Sequence, residues 1–134
     1  MREILFRGKT ADGKWVYGSL VHRTVFYGDP CDDYVILSDG EFDFDYYEDH
    51  EVIKETVGQF TGLTDKNGKK IFEGDIVKAE RICNGNIWTG CVVWWNGCFA
   101  IQGLKDGNNV PAIDLFKNYE VIGNIHDNPE MLEE

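Results

Sequence analysis

Asp43 and Asp45 are the residues most readily credited with chemistry. They sit two apart in Phe42-Asp43-Phe44-Asp45-Tyr46, and on an extended strand such a pair shares one face about 7 Å apart. Two carboxylates at that spacing could serve as half of a divalent-cation site or as an acid–base pair. A cation needs further oxygen ligands, for which Asp39 and Glu41 are the nearest candidates. No Asp-x-Asp-x-Asn-Gly loop and no His-Glu motif accompanies them, so a solvated strand face is the simpler reading. Other chemistry is weaker still. His22, His50 and His126 are scattered, and Ser19 and Ser38 have no base beside them in the sequence. Cys31, Cys83, Cys91 and Cys98 form no Cys-x-x-Cys pair, so they are expected as small core hydrophobes rather than zinc ligands. Thr64–Lys70 has a Gly-Lys step but lacks the order of a phosphate-binding loop and is not followed by a helical pattern. The expectation is no catalytic residue, no metal and no cofactor.

The carboxylates belong to a larger feature. The chain has 134 residues and a formal charge of −11, yet ten acids and no Lys or Arg fall between Thr24 and Ile53. That segment carries −10 and the other 104 residues carry −1. Such a face repels phosphate backbones and could dock a basic protein, including by imitating a nucleic-acid backbone. Trp88, Trp94 and Trp95 supply an aromatic surface of a different kind. Adjacent Trp94 and Trp95 must point to opposite sides of a strand, so one is exposed if the sheet has a wet face; the simpler reading buries both between layers.

The elements that must position these groups are short strands. Asp12-Gly13, Asn67-Gly68 and Asn96-Gly97 are hairpin signals. Phe42–Tyr46 alternates aromatic and acid at period two, Tyr34–Leu37 is a short apolar run, and Ile87–Trp95 is a longer one. Glu73-Gly74-Asp75 makes a corner, and Asn128-Pro129 opens a short C-terminal helix. One phrase occurs twice: FRGKTADGKWVYGSLV at Phe6–Val21 and FTGLTDKNGKKIFEGDIV at Phe60–Val77. Each copy encodes a turn and two strands. About ten strands result, and the fold class is mainly β. An N-terminal β region, residues 1–55, packs on a C-terminal SH3-like barrel-type unit, residues 56–134, which ends in the short helix. No apolar run of about 18 residues exists to span a membrane. MREILFRG places charges where a signal peptide needs an apolar stretch. A cytoplasmic location in a bacterial host cell is expected.

Several of these strings together resemble the YopX family, small proteins found mostly in bacteriophages and prophages. The resemblance rests on FRGK and WVYGSLV, on TVGQFTGLTDKNGKKIFEGDIVK at Thr56–Lys78, on VVWW at Val92–Trp95, and on VIGNIHDNPEML at Val121–Leu132. It implies a phage or prophage origin and a mainly β fold, and it leaves self-association open. It carries no assigned activity and no catalytic residues. The function expected is therefore a non-enzymatic phage accessory protein that binds a host or phage protein partner. Asp43, Asp45, Glu48 and Asp49 form its acidic face, and Trp94 or Trp95 acts as an apolar anchor. The alternatives are a nucleic-acid-binding barrel using Lys66, Lys69, Lys70 and Lys78, or a structural protein assembling through strand edges.

Overall fold

A computed structural model describes residues 2–39, 47–104 and 107–133. The acidic strand expected at Phe42–Tyr46, with Asp43 and Asp45, lies outside the described residues. Ten strands are described, all paired antiparallel, in two compact units, Met1–Phe60 and Thr61–Glu134.

The first unit contains β1 (Phe6–Lys9), β2 (Trp15–Phe26), β3 (Asp29–Asp39), β4 (Tyr47–Val52) and the start of β5 (Gly58–Thr64), in the order β4-β3-β2-β1-β5. In the first half of β2 the inward residues Val16 and Leu20 pack with Ile36, Val52, Phe6, Tyr34 and Val57. The sheet curls so that the chain leaving β4 meets the end of β1. After β4, Ile53 N–H donates to the Lys9 carbonyl at 2.8 Å. In the 3-10 turn Lys54–Thr56, the Thr56 hydroxyl accepts from Lys9 N–H at 2.8 Å and donates to the Ile53 carbonyl at 2.6 Å. Gly8 lets Val52 cross this seam, because a Cβ there would lie 2.9 Å from that of Val52.

Beyond Gly18 the sheet thins to an arm. β1 pairs with β2 only as far as Phe6 opposite Gly18, and β4 pairs with β3 only from Tyr34 onward. From Arg23 and Asp33 to the tip, β2 and β3 pair with each other alone. Tyr27 and Gly28 turn the chain with φ of 50° and 85°, the pattern of a type I′ hairpin. Side-chain contacts stiffen the arm: His22 Nε2 lies within hydrogen-bond distance of Asp32 at 2.6 Å, Arg23 pairs with Asp33 at 3.1 Å, and the His22 ring stacks on Tyr34.

The second unit holds the rest of β5, β6 (Lys70–Phe72), β7 (Asp75–Arg81), β8 (Ile87–Trp95), β9 (Cys98–Gly103) and β10 (Phe116–Asn124). The last four make an open sheet in the order β10-β7-β8-β9. Among the described residues these strands form no closed barrel: β9 and β10 stand at opposite margins of this sheet, and each is covered by an irregular segment. On β10, Lys66 N–H donates to the Tyr119 carbonyl and Val121 N–H donates to the Asp65 carboxylate. On β9, Ile101 N–H donates to the Pro111 carbonyl, and Ala100 bridges Ala112. The core is Ile71, Val77, Ala79, Val92, Ile101, Ile113 and Phe116. At the corner between β6 and β7, Phe72 N–H donates to the buried Asp75 carboxylate at 2.8 Å. Gly74, at φ 94°, bonds to Val92 on one side and Ile125 on the other. The C-terminal helix is a short 3-10 segment, Pro129–Glu133, docked where Gly123 leaves room for Asn128 and Met131.

The twice-stated phrase folds as the same turn twice. Thr10 N–H meets the Lys14 carbonyl and Gly13 N–H the Thr10 carbonyl; Asp65, Lys69 and Gly68 repeat both bonds. The exits differ. The first copy runs straight into the long β2, and the second breaks after three residues at the Gly74 corner.

Candidate protein-docking site

The β8–β9 hairpin carries the tryptophans. Asn96 and Gly97 turn it at φ 50° and 81°, conformations that this residue pair adopts readily. The hairpin outruns its core: Gly90, Cys91 and Val92 are buried, Val93 is half-buried, and the strand then emerges into solvent. Trp94 is 55% and Trp95 51% exposed. The expectation that both are buried is thus corrected, because no packed layer extends to this end of the strand. Trp94 continues the inner face of Val92 and sets its ring edge-on to its cross-strand neighbour Phe99, centroids 4.9 Å apart. Trp95 lies on the other face, opposite Cys98. The Cys98 thiol donates to the Trp95 carbonyl at 3.4 Å. Two large amphipathic rings are therefore presented on a short, well-paired hairpin. Such rings bury much area at low entropic cost.

The described acids are arranged differently from expectation. Glu48 and Asp49 sit on β4, opposite Ser38 and Leu37 respectively, so adjacent positions send them to opposite faces. They belong to the first unit and the tryptophans to the second. Glu48 does meet a histidine: its carboxylate lies 3.5 Å from His50 Nε2, and the Ser38 hydroxyl lies 3.2 Å from the same nitrogen. In a nucleophilic triad the acid and the hydroxyl engage different ring nitrogens; here both converge on one. Among the described residues, no group of three His, Cys, Asp or Glu side chains is placed to hold a metal ion. All four cysteines are free thiols. Only Cys91 is buried, whereas Cys31 is half-buried and Cys83 and Cys98 are exposed, so the expectation of four core positions fails for three.

Lys66 and Lys78, two of the lysines considered for nucleic acid, line a shallow cavity of about 270 Å³ with Glu80, Asn118 and Glu120. Lys66 is bound to Glu120 at 2.8 Å, and the Asn118 amide donates to Glu80 at 2.9 Å. The pocket mixes charges rather than gathering positive ones. Among the described residues, no helix is long and apolar enough to cross a membrane.

Sequence reasoning missed the arm tip. Val25, Phe26 and Tyr27 are 59%, 48% and 92% exposed, with the Arg23 guanidinium over the Phe26 ring. The signal is Tyr27-Gly28 between two β-rich runs, a weak one because tyrosine rarely adopts positive φ.

The family model for the YopX protein matches residues 5–133. This chain belongs to the YopX family. The match extends well beyond the strings that carried the resemblance. The crystal structure of protein yopX from Bacillus subtilis is similar in fold, with a TM-score of 0.55 at 18% identity, covering 100% of this chain and 98% of that one. Protein EF1440 from Enterococcus faecalis is similar at a TM-score of 0.50 and 22% identity, covering 98% and 99%. No curated protein matches the chain. At these identities the two structures speak for the mainly β fold of this YopX-family chain, with its two antiparallel sheets.

Proposed function

We propose that this YopX-family chain is a non-enzymatic protein-binding module, a phage or prophage accessory protein working in the cytoplasm of a bacterial host. One observation carries the reading: Trp94 and Trp95 are both more than half exposed at the end of a hairpin. Exposed tryptophan pairs are costly to leave in water and are typical interface anchors. The margins of the same sheet are covered by the Asp65 turn and by residues 109–112, which favours recognition by side chains over addition of a partner strand. The acidic first unit supplies a second component. Glu48 and Asp49, with Asp43 and Asp45, steer a basic partner toward the chain.

The test is affinity capture from host lysate, with the retained protein identified and its binding then measured directly. Trp94→Ala with Trp95→Ala should weaken that binding at least about 100-fold, the scale of two interface anchors. Glu48→Lys with Asp49→Lys should slow association and reduce its salt sensitivity, with a smaller effect on the dissociation rate. Equal capture of the same partner by both double variants defeats the proposal.

A further inference from the structure

The two edges of the β2–β3 arm are built differently. Along β3, Asp29–Asp33 contains Pro30 and three aspartates, and the ladder shifts register between Arg23 and Val25 with the additional residue on the β3 side. Proline, charge and a bulge are the devices by which sheet edges resist another strand. Along β2, Ser19–Phe26 has no proline, no acid and no additional residue, and its one arginine is turned to Asp33 across the arm, within a chain carrying 24 acids. Beyond Gly18 no described strand pairs with this side of β2. Its two basic side chains are already matched across the arm, His22 with Asp32 and Arg23 with Asp33.

We infer that the open edge of β2 is a strand-addition site whose occupant is the β2 edge of a second copy of this chain, paired antiparallel about a two-fold axis at His22. The strand is self-complementary in that register. Ser19 faces Val25 of the second copy, Leu20 faces Thr24, Val21 faces Arg23, and no carboxylate enters the ladder. The pairing stops where β1 begins. Phe26 and Tyr27 of each arm then reach the start of β1 in the other copy, beside Ile4, which is 60% exposed. The three most exposed apolar positions of the first unit, Tyr27, Ile4 and Val25, thereby gain cover together. The isologous contact closes at two copies and leaves no free β2 edge.

A ladder of this length buries less than a standard interface, so the dissociation constant falls on the order of 10 μM. Sedimentation of the full chain should show a monomer–dimer equilibrium in that range. Each copy carries −11, so added salt should strengthen the dimer by screening. Val21→Lys with Val25→Lys places the residue native edges use as a block at two exposed positions; it should give a monomer with an unchanged melting temperature. Amide exchange should slow with concentration at alternate residues between Ser19 and Val25. Trp94→Ala with Trp95→Ala should leave the dimer intact, which separates this contact from capture of a partner by the tryptophans. A monomer at all concentrations up to about ten times that constant, a dimer that dissolves in salt, a dimer unaffected by the lysines, or exchange slowed only at Trp94–Trp95 overturns the inference.

Discussion

Gly18→Val should unfold the first unit. A side chain at position 18 would put its Cβ 2.0 Å from the Leu37 carbonyl oxygen and 2.8 Å from the carbonyl carbon. These are main-chain atoms, so no rotamer change relieves the clash. Nor can β2 retreat, because Gly18 is paired with Phe6 on β1 on one side while the next residue, Ser19, is paired with Leu37 on β3 on the other. The cost exceeds that of ordinary core overpacking and is expected above about 4 kcal/mol, a large share of a small domain's stability. Urea unfolding followed by near-UV circular dichroism would measure it. Gly13→Ala is the control: that turn glycine also has positive φ, 86°, but nothing lies within 4 Å of its missing Cβ. Only backbone strain applies there, about 1 kcal/mol. Equal stability losses for the two variants would refute the steric account.

The second large effect is Asp65→Ala. Asp65 is buried, and its Oδ1 accepts from Asn67 N–H and Lys69 N–H, each at 2.9 Å, while Oδ2 accepts from Val121 N–H at 3.0 Å. One carboxylate thus closes its own hairpin and fastens it to the margin of β10. Removing it strands three main-chain donors, for a loss of about 3 kcal/mol. The milder change Asp65→Asn keeps an acceptor for the hairpin but presents N–H to N–H toward Val121, so its loss should be intermediate. Burial pushes the Asp65 carboxyl up, but the donors from Val121, Lys69 and Asn67, joined by the Lys69 charge, outweigh it and hold the pKa below its ordinary value. A group with a lower pKa folded than unfolded adds stability that is complete above the unfolded value, about 3.9, and is lost as pH falls through the folded value. The stability curve of Asp65→Ala should therefore lie below that of the parent at neutral pH and converge on it in acid. Parallel curves would rule out the linkage.

The features legible in the sequence are those whose geometry one or two residues impose. Asn96-Gly97 and the Asp65–Lys69 turn announce themselves because asparagine and glycine accept positive φ and an aspartate can cap its own loop. The Glu73-Gly74-Asp75 corner is legible for the same reason. What could not be read depends on distant partners. Whether β9 and β10 close a barrel is a matter of register across the sheet, and here the margins go instead to residues 65–66 and 109–112. The exposure of both tryptophans depends on where the core ends along β8, since the apolar run itself continues through Trp95. Of the acids, alternation alone separates Glu48 from Asp49, a consequence visible once β4 is known to be a strand and not a loop.

The place where β8 outruns its core also makes this protein its own spectroscopic reporter. Trp15 and Trp88 are half-buried, each beneath an arginine, so solvent-sensitive emission is concentrated in the adjacent pair at the hairpin end. Acrylamide, a neutral quencher, reaches that pair readily. A ligand that covers Trp94 and Trp95 shifts the emission to the blue and removes the acrylamide response, and a contact made through the arm leaves both unchanged. An unlabelled titration in a fluorimeter thus distinguishes the two surfaces of this molecule.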